Sequence, residues 1–332
     1  MMRLPPIRYR APRTLNEAAQ LLAAEGPSAA LLAGGTDLLP NMKRRQQTPR
    51  TLVALRAVQA LHDCHTGDDG SRRLGAGVTL ASLGGDADLA RRYTALWQAA
   101  RQVASPHIQN TATLGGNLCV DTRCNYYNQT YQWRQAIDFC MKKSGRICWV
   151  APGSDRCLAV ASSDTAPALI ALGARVTLVS TEGERQLPLD KLYRDDGITY
   201  LNKRPEEILT AVHLDPQPGW RSVYLKLRRR GAIDFPVLAV AAAVRLVGPE
   251  HTVAEARVVL GTTAPCPLLL PEAAAQLCGR PLGEPSFADA MAAAAKQVGR
   301  AAHPLDNTDL GGAYRKRIAG ELCLRALRAL RE

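Results

Sequence analysis

Cys124-Asn-Tyr-Tyr-Asn-Gln-Thr-Tyr-Gln-Trp-Arg-Gln-Ala-Ile-Asp-Phe-Cys140, continuing through Cys148 to Cys157, lies between two short polar turns, Thr113-Leu-Gly-Gly-Asn-Leu118 and Ser162-Ser-Asp-Thr-Ala-Pro167. Four of the nine cysteines thus fall at Cys-x15-Cys-x7-Cys-x8-Cys. Six of the sixteen aromatic side chains (Tyr126, Tyr127, Tyr131, Trp133, Phe139 and Trp149) share the same stretch. It reads as a cluster-binding insert at about 119–160, because burial and restricted solvent access tune a thiolate-held metal centre. The flanking turns read as two halves of one older site that the insert interrupts.

Outward from the insert, the rest of the chain offers regular elements. Thr14-Leu-Asn-Glu17 is a capping-box pattern that opens a helix to Glu25, which Gly26 stops. Ala29 to Ala33 is a short buried strand running into Gly34-Gly-Thr-Asp37, where close backbone N–H groups suit a pyrophosphate. A plain tight turn explains the same residues. Thr51 to Leu55 and Arg73 to Val78 read as strands, and Asp86 to Ala104 as one helix. Asp164 reads as the N-cap of a helix ending at Gly173, and Arg175 to Ser180 as a strand. His107 lies in an aperiodic polar segment as a loop residue or a cofactor contact.

The polar stretch Leu187 to Lys203 is the expected domain boundary. Beyond it, Glu207–His213, Tyr224–Leu227, Val237–Leu246 and Ala256–Gly261 suggest an antiparallel sheet. Helices over Phe287–Ala302 and Leu310–Leu330 follow, giving an α+β domain.

Composition sets further bounds. The chain has 332 residues, 46% of them apolar, enough for two or three domains. It contains no apolar run long enough to span a bilayer, and Met1 to Arg10 lacks the apolar core of a secretory signal. The expectation is a cytoplasmic protein with no membrane partner, whose odd number of cysteines serves as thiols or metal ligands. The net charge of +12 invites a nucleic-acid reading, but the basic stretches at Lys226–Arg230 and Tyr314–Arg331 carry few stacking aromatics. No nucleic-acid partner is expected; an iron-sulfur nucleic-acid-binding protein is the remote alternative.

For the metal, structural zinc sites favour close Cys-x2-4-Cys pairs, whereas the gaps here are mostly long. A 4Fe-4S cluster accepts four thiolates from a folded loop. Cys119 directly follows the Gly-Gly-Asn-Leu turn and is set aside, leaving Cys124, Cys140, Cys148 and Cys157. No nucleophile elbow, zinc-protease motif or Rossmann fingerprint appears. The chemistry is therefore expected from held cofactors.

Leu32-Ala-Gly-Gly-Thr-Asp-Leu-Leu-Pro-Asn-Met-Lys43, Asn110-Thr-Ala-Thr-Leu-Gly-Gly-Asn-Leu118, Ser163-Asp164, Tyr224-Leu-Lys226, Arg229 and Asp234-Phe235 together resemble the FAD-binding medium subunit of the molybdenum hydroxylase (xanthine dehydrogenase) family. Within it, Thr122-Arg-Cys-Asn-Tyr-Tyr-Asn-Gln129 and Ser154-Asp-Arg-Cys157 are similar to the 4-hydroxybenzoyl-CoA reductase branch, whose medium subunit holds an extra 4Fe-4S cluster. The resemblance implies a two-part FAD-binding domain of the vanillyl-alcohol-oxidase/PCMH type over residues 1–186 and a C-terminal α+β domain over 187–332.

It further implies that Leu32, Ala33, Gly34, Gly35, Thr36, Asp37 and Leu38 wrap the FAD pyrophosphate. Ala112, Thr113, Gly115, Gly116 and Asn117 would complete the phosphate and ribityl contacts, with Ser163 and Asp164 beside the ribityl or ribose. Leu209 would pack by the isoalloxazine and Lys226 reach its polar edge. The implied partners are a molybdopterin-containing large subunit, a small subunit with two 2Fe-2S clusters, and ferredoxin as electron donor. An aldehyde oxidoreductase medium subunit is the alternative within the family.

Overall fold

A computed structural model of the chain describes residues 3–283 and 285–331. The helix Leu15–Glu25 forms as its sequence predicts: Thr14 Oγ1 accepts from Glu17 N at 3.1 Å and the Glu17 carboxylate reaches back to Thr14 N. Its buried Ala18, Ala19 and Leu22 face the core.

Three short strands, β1 (Arg8–Arg10), β2 (Ala29–Leu32) and β3 (Thr51–Ala54), form a parallel sheet in the order β1-β3-β2. A second, antiparallel sheet contains β4 (Cys64–Thr66), β5 (Arg72–Gly75), β6 (Arg175–Ser180), β7 (Gly183–Pro188) and β8 (Ile208–Leu214), in the order β4-β5-β8-β6-β7. β9 (Trp220–Leu227), β10 (Leu238–Val247), β11 (Thr252–Gly261) and β12 (Leu268–Leu269) make a third sheet, ordered β12-β11-β10-β9. The architecture is thus mixed helix and sheet.

β10 is buried along most of its length for a reason visible in its two faces. Leu238, Val240, Ala242 and Val244 pack with the C-terminal helices Pro285–Ala301 and Gly312–Ala329, while Ala239, Ala241 and Ala243 join the core of the first half of the chain. Side chains alternate across a strand, so a strand sandwiched on both faces carries no polar alternation.

Two expectations need correction. The run ending at His213 does not join the C-terminal sheet: β8 sits between β5 and β6, with Leu74 opposite Val212 and Val176 also opposite Val212. The boundary expected near residue 187 therefore cuts through a sheet, and the change of sheet falls between Leu214 and Trp220. The reason is that an apolar strand run carries no mark of which sheet it enters. The helix expected over 86–104 is instead two, Ala87–Arg92 and Thr94–Gln102. It breaks at Tyr93, whose fully buried ring sends its hydroxyl to Asp215 O at 3.0 Å. No helix among the described residues is long and apolar enough to cross a membrane.

Candidate functional site

The strand β2 delivers the chain into the turn 33–37 and then the short helix Leu38–Lys43. Among the described residues, the backbone N–H groups of Gly34, Gly35, Thr36, Asp37 and Leu38 donate no hydrogen bond within the protein. Successive unpaired N–H groups at a turn make an anion-binding concavity. The backbone comes this close only because position 34 is glycine, since a Cβ there would overlap the Thr111 carbonyl. Gly35 has φ +72°, the left-handed region that favours glycine. These residues fit a pyrophosphate.

The second loop is held differently. Leu114 N and Gly115 N donate to Val78 O and Ala76 O at 2.9 and 2.8 Å, and Gly116 N to Thr113 Oγ1 at 3.1 Å. Its backbone donors are thereby engaged, and a Cβ at Gly115 would meet Ala76 Cβ at 2.7 Å. The Asn117 side-chain carbonyl accepts from Ser163 Oγ at 2.8 Å and Thr165 Oγ1 at 2.7 Å, tying this loop to the Ser163-Asp164 segment. Ala112 abuts Gly34. Residues 34, 112–117 and 163–164 are thus neighbours in the fold. Leu209 lies on β8, which packs against the helix Leu114–Leu118. His107 is exposed on a separate short helix, Pro106–Gln109.

Asp164 does not cap its helix with its side chain. That bond belongs to Ser163, whose Oγ accepts from Ala166 N at 3.0 Å. The Asp164 carboxylate instead accepts from Tyr224 OH at 2.6 Å and from Lys226 Nζ at 3.1 Å. Burial pushes the Asp164 carboxyl up and the Lys226 ammonium down, and their mutual attraction opposes both shifts.

Lys226 Nζ also donates to Gln102 O and Asp234 O, each at 2.9 Å. An ammonium has three donors, and these three acceptors engage all of them. The carboxylate and the two carbonyls are partners that only the fold brings to Lys226.

The insert closes on itself at its stem, where Arg123 and Val160 exchange two backbone hydrogen bonds of 2.8 Å. Cys124, Cys140, Cys148 and Cys157 are all buried and line one small pocket, with Tyr126, Tyr127, Trp149 and Lys142 in its wall. Among the described residues, no group of three or more His, Cys, Asp or Glu is placed for a metal ion.

Burial raises the Cys124 thiol to about 12 and the Cys157 thiol to about 11, so metal uptake would have to displace protons. Gly197 backs this pocket, since a Cβ there would meet Cys157 Sγ at 2.7 Å, and Ala159 N approaches the same sulfur at 3.5 Å. A backbone N–H on a cluster sulfur is one of the levers on cluster potential. The four cysteines share this pocket, while Cys119 lies outside it with its carbonyl accepting from Tyr200 OH at 3.2 Å.

Several residues that sequence reasoning passed over complete the site. Lys142 Nζ spans Asp121 at 2.8 Å and Thr122 Oγ1 and Gly197 O at 2.6 Å, closing one side of the pocket. Asn307, fully buried, donates to Leu158 O and accepts from Asn125 N, both at 2.7 Å, so a C-terminal loop grips the insert at both ends. Asn41 donates to Asp37 Oδ2 at 3.0 Å; their i, i+4 spacing was the one local signal available.

Residues 5–218 match the family described as the FAD binding domain in molybdopterin dehydrogenase, and residues 222–330 match the CO dehydrogenase flavoprotein C-terminal domain. The aldehyde oxidoreductase FAD-binding subunit PaoB of Escherichia coli is 34% identical over 81% of this chain and 85% of its own. The carbon monoxide dehydrogenase medium chain of Afipia carboxidovorans is 28% identical over 96% of this chain and 94% of its own. The reconstituted CO dehydrogenase from Oligotropha carboxidovorans superposes with a TM-score of 0.80 at 25% identity, covering 99% of each chain.

Proposed function

The chain belongs to the FAD-binding medium subunits of the molybdenum hydroxylase family, which spans CO and xanthine dehydrogenases, and on that premise we propose that it is an electron relay with a second centre, a 4Fe-4S cluster on Cys124, Cys140, Cys148 and Cys157. The observation that carries this reading is the convergence of those four buried cysteines on one aromatic-walled pocket. When bound, FAD and the cluster would exchange electron pairs and single electrons, so the chain would couple a one-electron carrier to two-electron substrate chemistry elsewhere.

The protein's own residues do the holding. The unpaired N–H groups of 34–38 receive the pyrophosphate, Ala33 and Thr113 to Asn117 line the cleft, and Asp164, Tyr224 and Lys226 fix its floor. In the complex, a molybdopterin-containing large subunit would bind the substrate and a small subunit with two 2Fe-2S clusters would lie between the two. The vanillyl-alcohol-oxidase/PCMH-type organisation of the FAD part belongs to the same proposal.

For the overall reaction we favour reductive removal of the ring hydroxyl of 4-hydroxybenzoyl-CoA. Two electrons and two protons replace the hydroxyl by hydrogen and release water, with a ferredoxin as the electron source. The support is the pattern Thr122-Arg-Cys-Asn-Tyr-Tyr-Asn-Gln129 with Ser154-Asp-Arg-Cys157. A second reading, aldehyde oxidation, draws on the 34% identity to PaoB, named as an aldehyde oxidoreductase subunit.

Anaerobic purification of the chain with its companion subunits tests both levels. Flavin bands with an iron-sulfur shoulder and four irons per chain are expected; colourless, iron-free protein would end the relay reading. Reduction of 4-hydroxybenzoyl-CoA by a low-potential donor is expected, and aldehyde oxidation without it would favour the second reading.

A further inference from the structure

Arg123 directly precedes Cys124, and its guanidinium forms an ion pair with Asp37, inside the run of unpaired N–H groups. The Arg123 side of the pair is buried, its side chain 9% exposed against 26% for Asp37, and the Phe235 ring lies 4.3 Å from Arg123 Cζ. On its other side, Asp37 accepts from Asn41 Nδ2 at 3.0 Å. The insert grips the same segment further along. Gln46 Nε2 donates to Tyr127 O at 2.6 Å, Gln47 Nε2 to Asp121 Oδ2 at 3.0 Å, and buried Arg134 to the carbonyls of Arg44 and Arg45 at 3.2 and 3.3 Å.

The turn that would cradle the pyrophosphate and the loop that carries the cysteines are therefore one mechanical unit, clasped along residues 37–47. Cysteine ligation would fix the insert, and the insert in turn fixes Asp37. Asp37 without its partner would place an uncompensated carboxylate beside the phosphate-facing N–H groups, repelling an anion.

We propose that Arg123 is a positioning residue that couples the two cofactor sites, so that occupancy of the cysteine pocket tightens FAD binding and FAD binding reciprocally favours cluster retention. Reciprocity is a thermodynamic requirement of any such coupling. This inference rests on the proposed relay function and deepens it.

The test is the FAD dissociation constant of the full-length chain, read by flavin fluorescence, with the iron cluster reconstituted and with it absent. Wild-type chain is expected to bind FAD on the order of tenfold more tightly when cluster-loaded. Arg123→Met should abolish the difference, and Arg123→Lys, which keeps the charge, should restore part of it. Asp37→Asn, acting from the other side of the pair, should also abolish it, which guards against a folding defect in one variant. Equal affinities in loaded and unloaded wild type, or an undiminished difference in Arg123→Met, would overturn the coupling while leaving the relay intact. Chain that takes up no iron under any condition would overturn both.

Discussion

Asp164 and Lys226 form an ion pair at 3.0 Å with side chains only 3% and 0% exposed, joining the segment after the insert to the first strand of the C-terminal sheet. Tyr224, two residues before Lys226 and on the same face of β9, completes the cluster through its hydroxyl. The FAD-binding half and the C-terminal half thus meet at a buried charge pair.

Removing either charge strands the other out of water. Lys226→Met or Asp164→Asn should each cost about 3 to 5 kcal/mol of stability, measured by urea denaturation. The double variant should cost much less than the sum, because the groups act as a unit. Additive costs would show that the two do not depend on one another.

Gly34 faces the Thr111 carbonyl with no room for a methyl group. Gly34→Ala should lower stability by about 1 to 3 kcal/mol and yield protein depleted in flavin, read from absorbance per chain. Gly153→Ala is the control: a Cβ at that exposed position meets nothing within 4 Å, and both properties should stay at wild-type values.

Cys140 faces the shared pocket and Cys119 does not. Cys140→Ser should remove most of the iron from anaerobically purified chain, whereas Cys119→Ser should retain it. Iron analysis giving the reverse order would reassign the ligands.

Glu207 introduces a pH dependence. Burial would raise its carboxyl, but hydrogen bonds from Arg185 and from Arg204 N outweigh it and hold the group at about 2, against 4.5 for an ordinary glutamate. Arg185 Nε lies 2.6 Å from one carboxylate oxygen and its Nη2 2.9 Å from the other. The unfolded chain therefore binds this proton more tightly than the folded one. The stability it contributes is complete above pH 4.5 and is lost as pH falls from there toward 2. Glu207→Gln should flatten that part of the acid-unfolding curve, followed by circular dichroism.

The capping box at Thr14, the glycine pairs at 34–35 and 115–116, and the two C-terminal helices were legible from the sequence, because each is specified by neighbours a few residues apart. The family follows from the same local signatures. What the sequence left open were relationships across long spans of chain. β8 could be recognised as a strand but not assigned to its sheet. Asp164 looked like a cap because a helix start is a local pattern, and its true partners lie 60 and 62 residues away.

The same division applies to the cysteines. Their number and spacing raised the expectation of a cluster-binding insert, but only the packed structure decided that Cys124, Cys140, Cys148 and Cys157 share a pocket. It also decided that Arg123 ties that pocket to Asp37. Short-range hydrogen bonds and hydrophobic periodicity are written into consecutive residues. Which buried charge finds which partner depends instead on how completed elements pack, since only packing excludes the water that would otherwise satisfy each group alone.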